Sequence, residues 1–487
     1  MAMKINLLRM KEYGEVTEIK QDIATISGLA NCMNGQQVSF DGGTRGVIVG
    51  FDQNATLALI ISAEEKVKPG DKVFATIDSF TVGVGPEFLG RTINGLGQPV
   101  DGGAPIKIAA QYPIFNQAPA VLDRLPLDEA LETGVKILDI TNPIGKGQRQ
   151  LILGDRVTGK TTIVTDTILN QRGKGVVCIY CCIGKAEASL AKVVELLTER
   201  QVMDYTIIVS ATASSSVGQQ YLAPYVAASI GDYFVREQGR DVFVAFDDLT
   251  KHAWTYRQMS LLLGRSPGRD AYPGDIFYLH SQLVERAGKL KPELGGGSMT
   301  FFPIVETVQG DLTSYISTNL ISMTDGQLYI SSPLFAEGFK PAIDIGLSVS
   351  RIGSKVQWPA MRKLAGILRL EYIQYKELEK LTRIKAGNSE VVEKRLRKGR
   401  VVTEILKQVN NAPVPMEEQI IILYALSKGF VDGLMPDQVQ AFHQGLIQHI
   451  RTNRPDVVQE LVTTKDLTPK VKEGLDEQLA SYGSVPV

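Results

Sequence analysis

Nine consecutive residues, Gly154-Asp155-Arg156-Val157-Thr158-Gly159-Lys160-Thr161-Thr162, carry the spacing G-x-x-x-x-G-K-[ST] of a phosphate-binding P-loop. Glycines let such a backbone curl until its N–H groups point inward at anionic oxygens, and the start of a helix adds a favourable dipole. Lys160 would neutralise the outer phosphates, and the Thr161 hydroxyl would reach a Mg²⁺ ion. A second stretch, Asp241-Val242-Phe243-Val244-Ala245-Phe246-Asp247-Asp248, is apolar and ends in two acids. Asp247 thus stands where a P-loop protein needs a carboxylate to orient the cation and its waters. The candidate nucleotide ligands are Asp155, Arg156, Thr158, Gly159, Lys160, Thr161, Thr162 and Asp247, with Thr161 and Asp247 toward the metal.

These residues need a strand, a loop and a helix in that order, and the sequence supplies them. Gln150-Leu151-Ile152-Leu153 reads as a short buried strand, and Thr161 to Asn170 as a helix with Ile163, Val164, Ile168 and Leu169 on it. Downstream come an apolar strand rich in cysteine, a helix from Ser189 to Gln201, a strand from Tyr205 to Ser210 and a helix around Tyr221 to Gln238. Strands alternating with helices predict a parallel sheet over 76–355, its working edge at the strand C-termini. Residues 1–75 read as all-β, with short strands at Glu15–Ile19, Ile23–Ile26, Gln37–Phe40, Gly46–Gly50 and Ala55–Ile61. Turn signals such as Asn34-Gly35 and Pro69-Gly70-Asp71 separate them, which predicts a small closed barrel. Residues 356–487 read as helical, with helices at Met361–Lys385, Ser389–Gln408, Met416–Lys428, Pro436–Arg451 and Val457–Thr464. The fold class is therefore multidomain α/β: an N-terminal β-barrel, a P-loop parallel-sheet domain and a C-terminal helical bundle.

Composition bounds the function. The 487 residues are 44% hydrophobic and 22% charged with a formal net charge of -1, which fits a globular protein and excludes a nucleic-acid binder that works by bulk charge. No apolar run reaches the length of a membrane span. The start, Met1-Ala2-Met3-Lys4-Ile5-Asn6, resembles neither a signal peptide nor a transit peptide. Cys178 and Cys181 have redox or zinc spacing, but their odd separation in a strand sends the side chains to opposite faces, so buried small residues are the reading. Lys394, Arg395, Arg397, Lys398 and Arg400 form a basic run that reads as a solvated helix face.

The longer motifs resemble those of the α subunits of F-type rotary ATP synthases. Pro143-Ile144-Gly145-Lys146-Gly147-Gln148-Arg149 leads into the P-loop as in that family. Phe246-Asp247-Asp248-Leu249-Thr250-Lys251, Pro267 to Asp275, and Pro341 to Gly353 with its Ser348-Val349-Ser350-Arg351 are similar to the family's α pattern. The resemblance implies a RecA-like core that binds Mg-ATP or Mg-ADP without turning it over. It also implies an α3β3 ring around a rotating γ-type stalk, with a peripheral stalk contact and a membrane sector passing H⁺ or Na⁺. By position, Lys340, Pro341 and Gln408 would lie by the base. Arg351 would be the catalytic arginine lent to a neighbouring β site, since a guanidinium placed at developing phosphoryl charge stabilises the transition state. The complex would sit on a membrane, on the cytoplasmic face in a bacterium, and no nucleic-acid partner is implied.

The sequence departs from the family pattern at Val157 and Lys185, where α subunits usually carry Gln, and at Lys340 and Asn410. The helical N-terminal extension of most α subunits is expected to be largely missing. Two alternatives share a barrel and a P-loop core, a hexameric RNA helicase and a self-sufficient export ATPase. Lys185 argues against both, because an ammonium cannot accept a proton from attacking water.

Overall fold

The computed structural model describes residues 12–51, 55–62, 66–382 and 390–483. The N-terminal segment read above as a shortened extension, and the joint between the first two predicted C-terminal helices, lie outside the described residues. In sequence order come a closed six-stranded β-barrel, a mixed and mostly parallel sheet with helices, and a helical C-terminal region. The residues group into two compact units, 1–125 with 176–305 and 313–323, and 126–175 with 306–312 and 324–487.

The first unit holds the barrel. Its strands are β1 (Tyr13–Lys20), β2 (Ile23–Ser27), β3 (Gln36–Phe40), β4 (Arg45–Phe51), β5 (Thr56–Ser62) and β6 (Lys72–Ser79), closed in the order β1-β2-β5-β4-β3-β6. Alternation drives the closure: Val16, Ala24, Ile26, Val38, Phe40, Ile48, Ala58 and Val73 turn inward into one core. β6 was absent from the strands expected and runs past residue 75. It joins β1 to β3, a pairing distant in sequence that no local pattern announces.

Parallel strands run in the order Ser298–Glu306, Val242–Asp247, Val177–Ile183, Thr206–Ala211 and Thr92–Asn94, all in the same unit but for Glu306. Nearly every residue of the central three is buried, which explains their continuous apolar runs in place of alternation. Because all run parallel, their C-terminal ends share one edge, and that edge carries Lys185 and Asp247. Cys178, Cys181 and Cys182 are free and buried, as read from their spacing.

The second unit pairs Gln150–Gly154 in parallel with Gly326–Ile330, and that strand antiparallel with the outer pair Val349–Ser350. The helix Lys160–Leu169 follows the first strand. Six long helices complete the unit among the described residues: Pro359–Thr382, Glu390–Leu406, Met416–Ser427, Val439–Asn453, Pro455–Thr464 and Pro469–Gly483. The last was not expected from sequence. Its buried stripe, Val471, Leu475 and Leu479, is narrow and interrupted by Gly474, so its period is weak. The first two cross closely at Gly399, where an added Cβ would stand 2.1 Å from the Tyr375 ring. In the basic run, Lys398 pairs with Glu371 at 2.8 Å, while Lys394, Arg395, Arg397 and Arg400 are exposed. Among the described residues no helix is long and apolar enough to cross a membrane.

Candidate functional site

The phosphate loop belongs to the second unit. Gly154 ends its strand, and its carbonyl accepts from the Thr307 amide at 3.0 Å. Thr158 closes the turn by donating to the Asp155 carbonyl at 2.8 Å. Gly159 adopts a left-handed φ of 98°, with nothing within 4 Å of an added Cβ. Its neighbour Lys160 is buried and begins the helix, and that helix start has no side-chain cap. The uncapped first-turn N–H groups, open space at Gly159 and an ammonium folded inward form a ready anion cradle. Lys160 Nζ donates to the carbonyl of Gly154 at 2.8 Å and to that of Asp155. Arg156 and Val157 form the exposed tip, and Val157 takes a φ of 61°, unusual for a β-branched residue. Thr161 and Thr162 are half-buried in the first helical turn.

Asp155 anchors the loop. Its Oδ1 accepts from Thr307 Oγ1 at 2.7 Å and from the Gly310 amide at 2.9 Å, and its Oδ2 from Ser332 Oγ at 2.7 Å. Burial opposes the charge, yet these hydrogen bonds and the Lys160 ammonium hold the carboxyl below the usual range. Asp155 therefore shapes the loop from beneath. Thr307, Gly310 and Ser332 were missed from sequence, where no motif marks them.

Lys340, Pro341 and Gln408 come together in the same unit, with the Gln408 amide donating to the Lys340 carbonyl at 2.9 Å. The Lys340 ammonium lies 4.6 Å from the centre of the Phe335 ring. Both side-chain N–H groups of Gln408 go to main-chain carbonyls, of Gly134 and Ala412, each at 2.9 Å. Its Oε1 accepts from the Lys136 amide at 3.0 Å. Gln408 thus pins two loops, with its donors already spent. Arg351 is exposed directly after Val349–Ser350, and its backbone N–H donates to the Asp325 carbonyl at 2.8 Å. Asp325 is in turn gripped by Arg149, whose NH2 reaches Oδ1 at 2.7 Å and whose Nε reaches Oδ2 at 3.0 Å. Sequence reasoning singled out Arg351 but gave no sign of this Arg149–Asp325 pair beside it.

Asp247 belongs to the first unit. Its Oδ2 accepts from Lys185 Nζ at 2.6 Å and from the buried Tyr180 hydroxyl at 2.8 Å. Strand pairing makes this possible: Cys182 stands opposite Asp247, so Tyr180 and Lys185 flank it from the neighbouring strand and the turn beyond. Burial, with the Asp247 charge second, pushes the Tyr180 hydroxyl well above its ordinary range, so it stays a donor. Asp248 caps the helix Leu249–Leu262 through the Lys251 amide at 2.8 Å and ion-pairs with the Lys251 ammonium. Glu187 opens its own helix, and its carboxylate accepts from the Ser214 hydroxyl.

A phosphate loop carried by strand and helix defines a P-loop nucleotide-binding protein. The sequence matches three profiles in succession: the beta-barrel domain of the ATP synthase alpha/beta family over 10–76, the nucleotide-binding domain of that family over 134–350, and the C terminal domain of the ATP synthase alpha/beta chain over 357–482. The protein belongs to the ATP synthase alpha/beta family. It is 45% identical to ATP synthase subunit alpha of Clostridium acetobutylicum over 478 residues, covering 98% of this sequence and 94% of that protein. It is likewise 45% identical to ATP synthase subunit alpha of Clostridium botulinum over 474 residues, covering 97% of this sequence and 94% of that protein. The α resemblance read from the motifs is thus met by whole-length relatives.

Proposed function

We propose that this protein is the noncatalytic, regulatory α subunit of a rotary F-type ATP synthase. It binds ATP or ADP at its phosphate loop without turnover and lends Arg351 to the catalytic site of a neighbouring β subunit. Its setting is an α3β3 ring on a γ-type stalk, attached through the complex to a membrane sector that passes H⁺ or Na⁺. The observation that carries the noncatalytic part is Lys185 on Asp247. A hydrolytic site needs an acceptor for the proton of attacking water, and an ammonium offers three donors and no lone pair.

Bound nucleotide supplies phosphate oxygens as hydrogen-bond acceptors. The protein's own residues answer with the first-turn N–H groups of the helix Lys160–Leu169 and the Lys160 charge, while Asp155 keeps the loop in shape. Glu187 is an acid near the position a self-sufficient export ATPase would use, and its carboxylate is taken up by Ser214. The purified subunit should therefore hydrolyse ATP negligibly. Lys160→Ala should weaken its nucleotide binding by about tenfold or more, while a complex assembled with that variant keeps most of its hydrolysis. Steady turnover by the pure subunit, abolished by Glu187→Gln, would make it a complete enzyme instead.

A further inference from the structure

The first unit holds a cavity of about 350 Å³, a volume within the range of small-molecule sites. Every residue that lines it belongs to 1–125. Its apolar floor is Phe80, Val82, Phe88 and Leu96, all buried. Ile106 and Ile108 wall it from a loop, and Ile108 is 51% exposed. Hydrogen bonds fix that loop. Asn94 Oδ1 accepts from the Leu96 amide at 2.9 Å and the Gln98 amide at 3.0 Å. Asp101 accepts from the Thr92 and Gly103 amides, each at 3.0 Å, and the Ala109 amide donates to the Val84 carbonyl at 2.8 Å. The walls therefore stand before any ligand arrives, which spares the cost of ordering them.

Arg45, the first residue of β4, is the one charged side chain among the described residues that line the cavity. It is half-buried, and among the described residues no hydrogen bond or ion pair engages its guanidinium. The loop's own acid, Asp101, is already taken by Arg91, whose Nε and NH2 each reach it at 2.7 Å. Lys107, between the two walling isoleucines, is exposed and adds positive charge to the same loop. A cation beside apolar walls is short of both water and a counter-charge. Its planar fork fits the two oxygens of a carboxylate. Water held against the floor is released at a gain when hydrocarbon replaces it. A small inorganic anion would meet the charge and leave the floor wet.

We propose that this cavity binds a medium-chain carboxylate, with its head on Arg45 and its hydrocarbon body over Phe80, Phe88 and Leu96. None of these residues belongs to the phosphate loop or to the unit that carries it.

The test is equilibrium dialysis of the full-length protein against radiolabelled decanoate and, separately, 1-decanol, which has the same body without the charge. Wild type should bind decanoate saturably with a Kd below about 1 mM and decanol about tenfold more weakly or worse. Acetate, the head without the body, should not compete. Arg45→Gln should weaken decanoate about tenfold and leave decanol unchanged, so that the two converge. Ile108→Trp fills the cavity from a half-exposed position and should weaken both ligands about tenfold or more. If Arg45→Gln does not fold, the wild-type preference for decanoate over decanol and the effect of Ile108→Trp still decide. Uptake that never saturates, or equal affinity of wild type for decanoate and decanol, overturns the proposal. Decanoate binding undiminished in Ile108→Trp overturns it too, because the ligand then sits elsewhere, and undiminished binding in a folded Arg45→Gln removes the head group's partner.

Discussion

Asp325→Ala should cripple Arg351 from a distance. Asp325 joins two parts of the second unit. Its carboxylate takes the Arg149 backbone N–H and Nε, each at 3.0 Å on Oδ2, and NH2 at 2.7 Å on Oδ1. Its carbonyl takes the Arg351 N–H at 2.8 Å, and the next residue, Gly326, pairs with Ser350. The ion-pair side chains are 18% and 21% exposed. That places the bridge between an exposed pair, worth roughly 0–1 kcal/mol, and a buried one, whose breakage costs about 3–5 kcal/mol. A figure of about 2 kcal/mol suits a two-pronged, charge-assisted contact of this exposure. If that energy is what tips the turn before Arg351 into place, losing it lowers the ratio of placed to displaced turn about 30-fold, and the placed fraction nearly as much where little else favours it. The assay is steady-state ATP hydrolysis by the assembled complex. kcat should fall about 10- to 100-fold with KM unchanged, the mark of an interaction used only in the transition state. Nucleotide affinity at the phosphate loop of the variant subunit should not move. Arg149→Lys keeps the charge but not the fork, and should fall between wild type and Asp325→Ala. A kcat within about threefold of wild type for Asp325→Ala refutes the reasoning.

Two further outcomes concern stability. His252 and His280 are buried side by side, 3.3 Å apart, and His252 Nε2 meets the Tyr221 carbonyl at 3.0 Å. Burial lowers His252 to about 4, the Tyr221 carbonyl partly offsetting it, and burial with the His252 charge lowers His280 further. The unfolded state takes up these protons near pH 6.5 and the fold does not, so stability is full above that pH and is lost as pH falls toward 4. His252 alone should contribute about 3 kcal/mol to the loss, visible as a falling urea midpoint that flattens in the His252→Gln/His280→Gln double variant. Arg286 is a buried cation held by Asp232, by Ser229 Oγ at 2.9 Å and by the Ile114 carbonyl at 2.9 Å. Arg286→Met should cost about 3–5 kcal/mol by stripping Asp232 of its counter-charge, and Arg286→Met/Asp232→Leu should recover at least half in the same denaturation experiment.

What was legible in the sequence is what is contiguous. The loop from Gly154 to Thr162 declares itself because one short run holds every feature of an anion cradle. The place of Asp247 at a strand end follows from an apolar run that closes in acid. The barrel, the strands Gln150–Gly154, Val177–Ile183, Thr206–Ala211 and Val242–Asp247, and five of the six long C-terminal helices were visible as periods and turns, whereas Thr92–Asn94, Ser298–Glu306 and Gly326–Ile330 were not read. The rest depends on strand register and on long loops closing. Nothing near Lys185 shows that its ammonium will meet Asp247, because the contact exists only once Cys182 and Asp247 stand opposite each other. Arg149 and Asp325 are far apart in sequence, and neither belongs to a motif that would pair them. Nothing near Gln408, which the family resemblance places by the base, shows that its side-chain amide will donate to Gly134 and Ala412, since that contact depends on tertiary closure. β6 and the helix Pro469–Gly483 were overlooked for related reasons, since one is defined by its distant partners and the other carries only a narrow apolar stripe.

The most direct test of the account is the hydrolysis rate of a purified complex carrying Arg351→Ala. Arg351 stands exposed at the end of the outer strand of its unit, positioned by the Asp325 carbonyl. A guanidinium supplied across an interface is worth about 10³–10⁵ in rate. The variant should assemble, bind nucleotide as before and lose nearly all steady-state turnover, and Arg351→Lys should restore little, because an ammonium lacks the planar fork. Turnover within about fivefold of wild type would match an exposed salt bridge of roughly 0–1 kcal/mol and would contradict the claim that this subunit completes its neighbour's catalytic site.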